Sequence, residues 1–242
     1  TFAAARLAYH EGELRRAETL LARAREMTRE LPERAIAEAA TDVALGGIYV
    51  AESRMREADL CLQKCMTSLQ SFADPAHKEL LAVALRFHSE ALVDAGDVRG
   101  AEKELERSAD ILLELGSDSA VQLAYTYSDL CGLYITQGRF SEADRYMSLA
   151  MQIIGTVFDA ENPAYVRADM LYELSHPMTE DARMELVSNG LQKMEYAYGA
   201  HHPHIKRALL RYFKALDERG LTEKMKSAVE RFGVRPELKA KK

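Results

Sequence analysis

Residues 101–115, AEKELERSADILLEL, return to an apolar side chain at Ala101, Leu105, Ala109, Leu112 and Leu113, and fill the intervening positions with Glu102, Lys103, Glu104, Glu106 and Arg107. Steps of three and four residues draw one apolar stripe down a 3.6-residue helix, so the segment predicts an amphipathic helix with a single buried face. The stretch shows no alternation with a period of two, and short β-branched runs closed by turn residues are missing throughout the sequence. No strand is predicted.

Turn residues cut the helical segments at regular distances. Gly12, Ser53, Gly96, Gly138, Pro177 and Gly220 follow one another at intervals of 39 to 43 residues, and five residues after each stand Ala17, Ala58, Ala101, Ala143, Ala182 and Met225. A second series of breaks, Leu31-Pro32, Asp74-Pro75, Gly116-Ser117, Asn162-Pro163 and His202-Pro203, lies between them. Together the two series predict a repeating unit of helix, tight turn, helix and loop, with the fifth residue after each turn on the inner side of the second helix. Packed helices approach closely only over small side chains. In DLCGLYITQGRFSEADRYMSLAMQI, residues 129–153, Gly132, Gly138, Ala143 and Ala150 are therefore expected where two helices touch.

Asp42-x-x-Leu45-Gly46-x-x-Tyr49 followed by Ala58-x-x-x-Leu62, and Tyr127-x-x-Leu130-Cys131-x-x-Tyr134 followed by Ala143-x-x-x-Met147, resemble the tetratricopeptide repeat, with Leu85-x-x-His88-Ser89-x-x-Leu92 and Ala101-x-x-x-Leu105 as a weaker copy. Units of about 42 residues exceed the usual 34 of that repeat by about two helical turns, and with loops such as Phe158–Pro163 and Tyr198–Ile205 they look like the kinesin-light-chain type. The resemblance implies an all-α, right-handed α-solenoid of about six helix pairs. It would form one domain over residues 1–233, with units at 1–31, 33–73, 76–116, 118–160, 163–200 and 203–233 and a basic tail at 234–242. In the unit around Pro177 the turn glycine is replaced and ADMLYELSHP carries no small-residue pair.

Stacked units of this kind share a continuous core and curve, so that the first helices line a concave surface. The resemblance implies that this surface binds an extended peptide or a partner helix. Register places Arg6, Tyr9, Gly47, Arg86, Phe87, Glu90, Tyr125, Ser128, Gly132, Arg167 and Lys214 in the groove, with Val43, Val50, Ile135, Leu171 and Leu210 beside them. Small floor residues between aromatic and arginine walls suit an interface. Arg86 and Arg167 are expected to meet acidic groups of a ligand that alternates acidic and apolar residues. Val43, Gly47 and Arg86 stand where a carboxylate clamp would place Lys and Asn, and the sequence has no Asn before Asn162. The alternative reading is a ligand- or peptide-sensing domain of a larger, bacterial-type regulator.

Composition narrows the remaining classes. With 48% hydrophobic and 29% charged residues the chain has enough apolar content for a sizeable core, and a net charge of −6 with pI near 5.7 argues against nucleic acid as the main ligand. No apolar run reaches the roughly 18 to 20 residues a membrane span needs, and Arg6, Glu11, Glu13, Arg15, Arg16 and Glu18 interrupt any secretory signal. The sequence starts at Thr1 without an initiator Met, as a processed chain or a fragment would. Three cysteines, Cys61, Cys65 and Cys131, with no CxxC pair, fit buried thiols of a reducing, cytoplasmic setting. His201, His202 and His204, with His176 upstream, are read as loop-closing residues beside Pro203 rather than as metal ligands. No phosphate loop, nucleophile elbow or metalloprotease motif is present, so neither an enzyme nor a cofactor is expected.

Overall fold

The computed structural model describes residues 2–30, 34–158 and 179–198, together with residues 165, 168–169, 171–173 and 176. The described residues contain no strand. Helices α1 (Phe2–His10) and α2 (Leu14–Met27) form a first pair, α3 (Arg34–Ala51) and α4 (Met55–Leu69) a second, α5 (Pro75–Ala95) and α6 (Val98–Leu115) a third, and α7 (Ala120–Thr136) and α8 (Phe140–Val157) a fourth. A 3₁₀ turn, Gly116–Ser119, leads from α6 into α7, and α9 covers Glu180–Tyr198.

The four turns inside the pairs share one backbone geometry. Gly12, Ser53, Gly96 and Gly138 take φ of 77°, 60°, 85° and 72°. One residue later, the N–H groups of Glu13, Arg54, Asp97 and Arg139 reach back five residues to the carbonyls of Ala8, Tyr49, Leu92 and Tyr134 at 2.8, 2.8, 2.8 and 2.9 Å. This six-to-one bond closes a left-handed helix end, and a positive φ is what favours glycine there. Ser53 is the one non-glycine residue in the described chain that adopts it.

Each turn delivers its alanine to the same place. Ala17, Ala58, Ala101 and Ala143 are all fully buried, and the last three are followed at four-, three- and four-residue steps by Leu62, Cys65 and Leu69, by Leu105, Ser108 and Leu112, and by Met147, Ala150 and Ile154. Each large member of these stripes contributes about 1.5 to 3 kcal/mol through burial. The register does not extend to α9: Ala182 is exposed, and the buried stripe is Met184, Leu191 and Met194. Proline locks φ near −65°, so Pro177 has no access to the positive φ that sets the other turns. Gly132 also departs from expectation. A Cβ added there meets nothing within 4 Å, and the small residue buried in that helix contact is its neighbour Cys131.

Pairs stack through their first helices as well as in sequence. α3 packs on α5 and α5 touches α7, while α2, α4 and α6 each pack on the first helix of the next pair. α5 joins two cores, giving Leu81, Ala84 and Leu85 to one with α3 and α4, and Ala82 to another with α6, α7 and α8.

A polar contact recurs at every joint between pairs. The residue after each buried alanine is acidic, and it meets a basic residue of the following pair or segment. Glu18 meets Arg54 at 3.2 Å, Asp59 meets His88 at 2.7 Å, Glu102 meets Arg139 at 2.8 Å and Asp144 meets His176 at 3.7 Å. Arg54 and Arg139 lie 4.2 and 4.3 Å from the ring centroids of Tyr49 and Tyr134 and bind a second glutamate, Glu57 and Glu142, within their own turns.

Candidate functional site

The first-helix face gathers four of the expected groove residues around α5. Helical periodicity aligns Gln122, Tyr125 and Asp129 on one stripe of α7, and Arg86 and Phe87 occupy the facing part of α5. The tip of the Phe87 ring rests on Gly47 of α3, where an added Cβ would stand 2.9 Å from Cζ. The guanidinium of Arg86 lies 4.5 Å from the Phe87 ring centroid and 5.8 Å from that of Tyr125. Tyr125 in turn stacks on Phe158, with centroids 6.5 Å apart. Gly47, Phe87, Arg86, Tyr125 and Phe158 thus form a continuous row across three helix pairs.

Charge in this row is internally balanced. Arg86 Nη1 donates to Asp129 Oδ2 at 3.2 Å, and the two side chains are only 14% and 8% exposed. An incoming carboxylate would have to displace Asp129 from a largely desolvated pair, which removes the reason for expecting an acidic ligand at Arg86. Arg86 Nε, a donor on α5, and Gln122 Oε1, an acceptor on α7, are buried without a hydrogen-bond partner among the described residues.

The other expected groove residues are placed differently. Ser128 is 2% exposed and donates its hydroxyl to the Ala124 carbonyl, so it lies beneath the surface. Val43 and Val50 are buried with α4 and α5. Glu90 is half-buried on α5, and Gly132 and Ile135 are half-buried on α7. Arg6 is exposed and Tyr9 half-buried on α1, which packs on α2 at the far end of the array. Leu171 is half-buried against the α7–α8 core. Arg167, Leu210 and Lys214 lie outside the described residues, as do Pro177, Gly220, Met225, His201, His202, His204 and the basic tail.

Asp129 and Phe158 are not among the expected residues. A signal for Asp129 exists: it lies 43 residues after Arg86, one repeat period, and equivalent positions of adjacent units face each other in a stacked array.

Burial, with Asp42 nearby, pushes the Cys61 thiol up to about 11 and the Cys65 thiol up to about 12, and their Sγ atoms donate to the carbonyls of Asp42 and Ala39. Among the described residues no group of three or more His, Cys, Asp or Glu is placed to hold a metal ion. No described helix is long and apolar enough to cross a membrane.

No protein-family model matches the chain, and no curated protein matches it by sequence. Solved structures do match. The apo form of RapI superposes with a TM-score of 0.72 at 14% identity, covering 95% of this chain and 79% of that one. BtubC (BKLC) from P. vanneervenii gives 0.55 at 16% identity over 95% and 96% of the two chains. The nearly identical TPR-like repeats of a putative kinesin light chain from Podosopora anserina give 0.51 at 17% identity over 81% and 92%. The fold is accordingly an all-α solenoid of the tetratricopeptide type, as its repeated turns and buried alanines indicate.

Proposed function

We propose that this protein is a non-enzymatic interaction module that holds a peptide or a partner helix across α3, α5 and α7. The observation that carries the reading is the Phe87–Arg86–Tyr125 row. Large aromatic faces and an arginine, held by their neighbours and only partly buried, are the residue types on which interface affinity concentrates. Because Arg86 is neutralised by Asp129, the row favours apolar and aromatic ligand side chains over acidic ones. Arg6, Tyr9, Glu90, Gly132, Arg167 and Lys214 would extend the surface toward its two ends.

The test is a peptide selected against the whole chain from a random library. Phe87→Ala and Tyr125→Ala should each weaken its binding about thirtyfold, the value of about 2 kcal/mol at a hot spot. Lys103→Ala and Arg107→Ala, exposed on α6, should leave binding unchanged. Binding that survives both aromatic truncations but is lost with either α6 variant would move the site off the first-helix face.

A second reading, a ligand-sensing domain of a larger regulator, draws on the breadth of the likeness to RapI, described there in its apo form. It uses the same groove and differs in what the groove controls.

A further inference from the structure

Of the joints between pairs, the one between the second and third is built unlike those on either side. Its cation is His88, only 4% exposed and set at the centre of α5, in the motif position that carries a large apolar residue in the neighbouring units, Leu45 and Leu130. Two carboxylates face its ring from different helices. Nε2 lies 2.7 Å from Asp59 Oδ1 of α4, and Nδ1 lies 2.7 Å from Glu104 Oε2 of α6. Gln63 also donates to Asp59 Oδ1, at 2.7 Å, which holds that carboxylate in place. α3 and α7 pack elsewhere on α5, through Gly47 against Phe87 and through Asp129 against Arg86.

An imidazole donates from both nitrogens only when doubly protonated. With one proton, either nitrogen holds an N–H but the other turns a lone pair toward a carboxylate, so one of the two contacts becomes repulsive at 2.7 Å. The flanking joints behave differently, because Arg54 and Arg139 keep their charge at every accessible pH.

We propose that His88 is a proton-operated clasp: protonated, it ties α4, α5 and α6 together through Asp59 and Glu104, and on losing its proton it lets the joint between the second and third pairs loosen while the arginine-closed joints hold. Burial alone would lower the imidazole's affinity for a proton, but the hydrogen bonds and charges of Glu104 and Asp59 outweigh it and hold His88 above the ordinary histidine range. A group raised in the folded state contributes stability that is complete below the unfolded value, about 6.5, and is lost as pH rises through the folded one. The window therefore opens just above pH 6.5 and extends upward. The contact of Phe87 with Gly47 crosses the same joint, whereas the Arg86–Asp129 pair crosses the next, so the proton would act on one end of the groove row. The clasp stands on the joint itself, whether or not a ligand occupies the groove.

The test uses the whole chain without substitution first. The ring Cε1–H signal of His88 is followed by NMR from pH 5 to 9, and amide exchange, normalised to the intrinsic rate, is compared at pH 6 and pH 8.5. The clasp requires that His88 titrate above 6.5 and that exchange in residues 55–95 rise severalfold at the higher pH while residues 120–136 stay unchanged. Asp59→Asn and Glu104→Gln should each lower the His88 midpoint, and His88→Gln should remove the pH dependence of exchange in residues 55–95. Titration at or below 6.5, an exchange change spread evenly along the array, or none at all, would overturn the proposal.

Discussion

Leu62 of α4 sits directly over the bare Cα of Gly46 in α3: a Cβ on that glycine would stand 2.4 Å from Leu62 Cδ2 and 2.5 Å from Cγ. Leu62 is fully buried and has no open space to swing into. Gly46→Ala should therefore destabilise the protein, because overpacking typically costs about 1 to 3 kcal/mol and outweighs the gain of about 1 kcal/mol in helix propensity. Gly132→Ala meets nothing and should keep that propensity gain. Urea unfolding should shift the two midpoints in opposite directions. Equal shifts would mean that the helices of the second pair are free to separate.

Gly47→Ala addresses the groove rather than the core. Its new Cβ would press the tip of the Phe87 ring, at 2.9 Å, which is the far end of a half-buried side chain rather than backbone. The expected result is a stability change below about 1 kcal/mol with a clear loss of affinity for a groove-selected peptide. Unchanged binding would show that the ring's resting position does not matter to the ligand.

Tyr134 reports on the joint closed by Arg139. Its hydroxyl donates to Glu102 Oε1 at 3.1 Å, and burial first, then the Glu102 charge, hold the phenol well above its ordinary range. Tyr134→Phe should cost about 1.5 to 3 kcal/mol at pH 7, the worth of a hydrogen bond to a charged group. The phenol is raised in the folded state, so its contribution is complete below about pH 10 and declines above it as the unfolded chain ionises first. Urea titrations at pH 7, 10 and 11 should show the gap between parent and variant closing. A gap that widens with pH contradicts the assignment.

Thiol chemistry tests burial in the second pair. With Cys61 near 11 and Cys65 near 12, little thiolate exists at pH 8, against an ordinary value of about 8.5. Ellman's reagent should react with both at least about a hundredfold more slowly in the native protein than in urea. A fast native phase that Cys61→Ser removes would show that α4 opens more readily than its packing suggests.

The repeat is readable because its determinants are local. A positive φ selects glycine at three of the four described turns, and a fully buried contact selects alanine five residues on, so Gly12 with Ala17 or Gly138 with Ala143 announces the geometry without reference to the rest of the chain. Ala182 escapes because its register is counted from Pro177, where that local logic stops. The groove is less legible. Periodicity gives the direction of a side chain, but how one pair covers the next decides whether Val43 and Ser128 face solvent or core, and both are buried. The Arg86–Asp129 pair and the Asp59–His88–Glu104 cluster join residues of different helices, a kind of information that a single helix pattern does not contain.

Four turns of one geometry also constrain how the chain's length is able to change. A segment cut from one turn to the equivalent point of the next, such as Arg54–Gly96, is bounded at both ends by the same turn geometry and leaves its buried alanine in phase with its neighbours. Duplicating or deleting such a cassette would add or remove one rung of the array while preserving every six-to-one bond. An insertion of half that length would throw all downstream alanines out of register. Variation in size should thus come in whole repeats, with the groove lengthening or shortening by one first helix at a time.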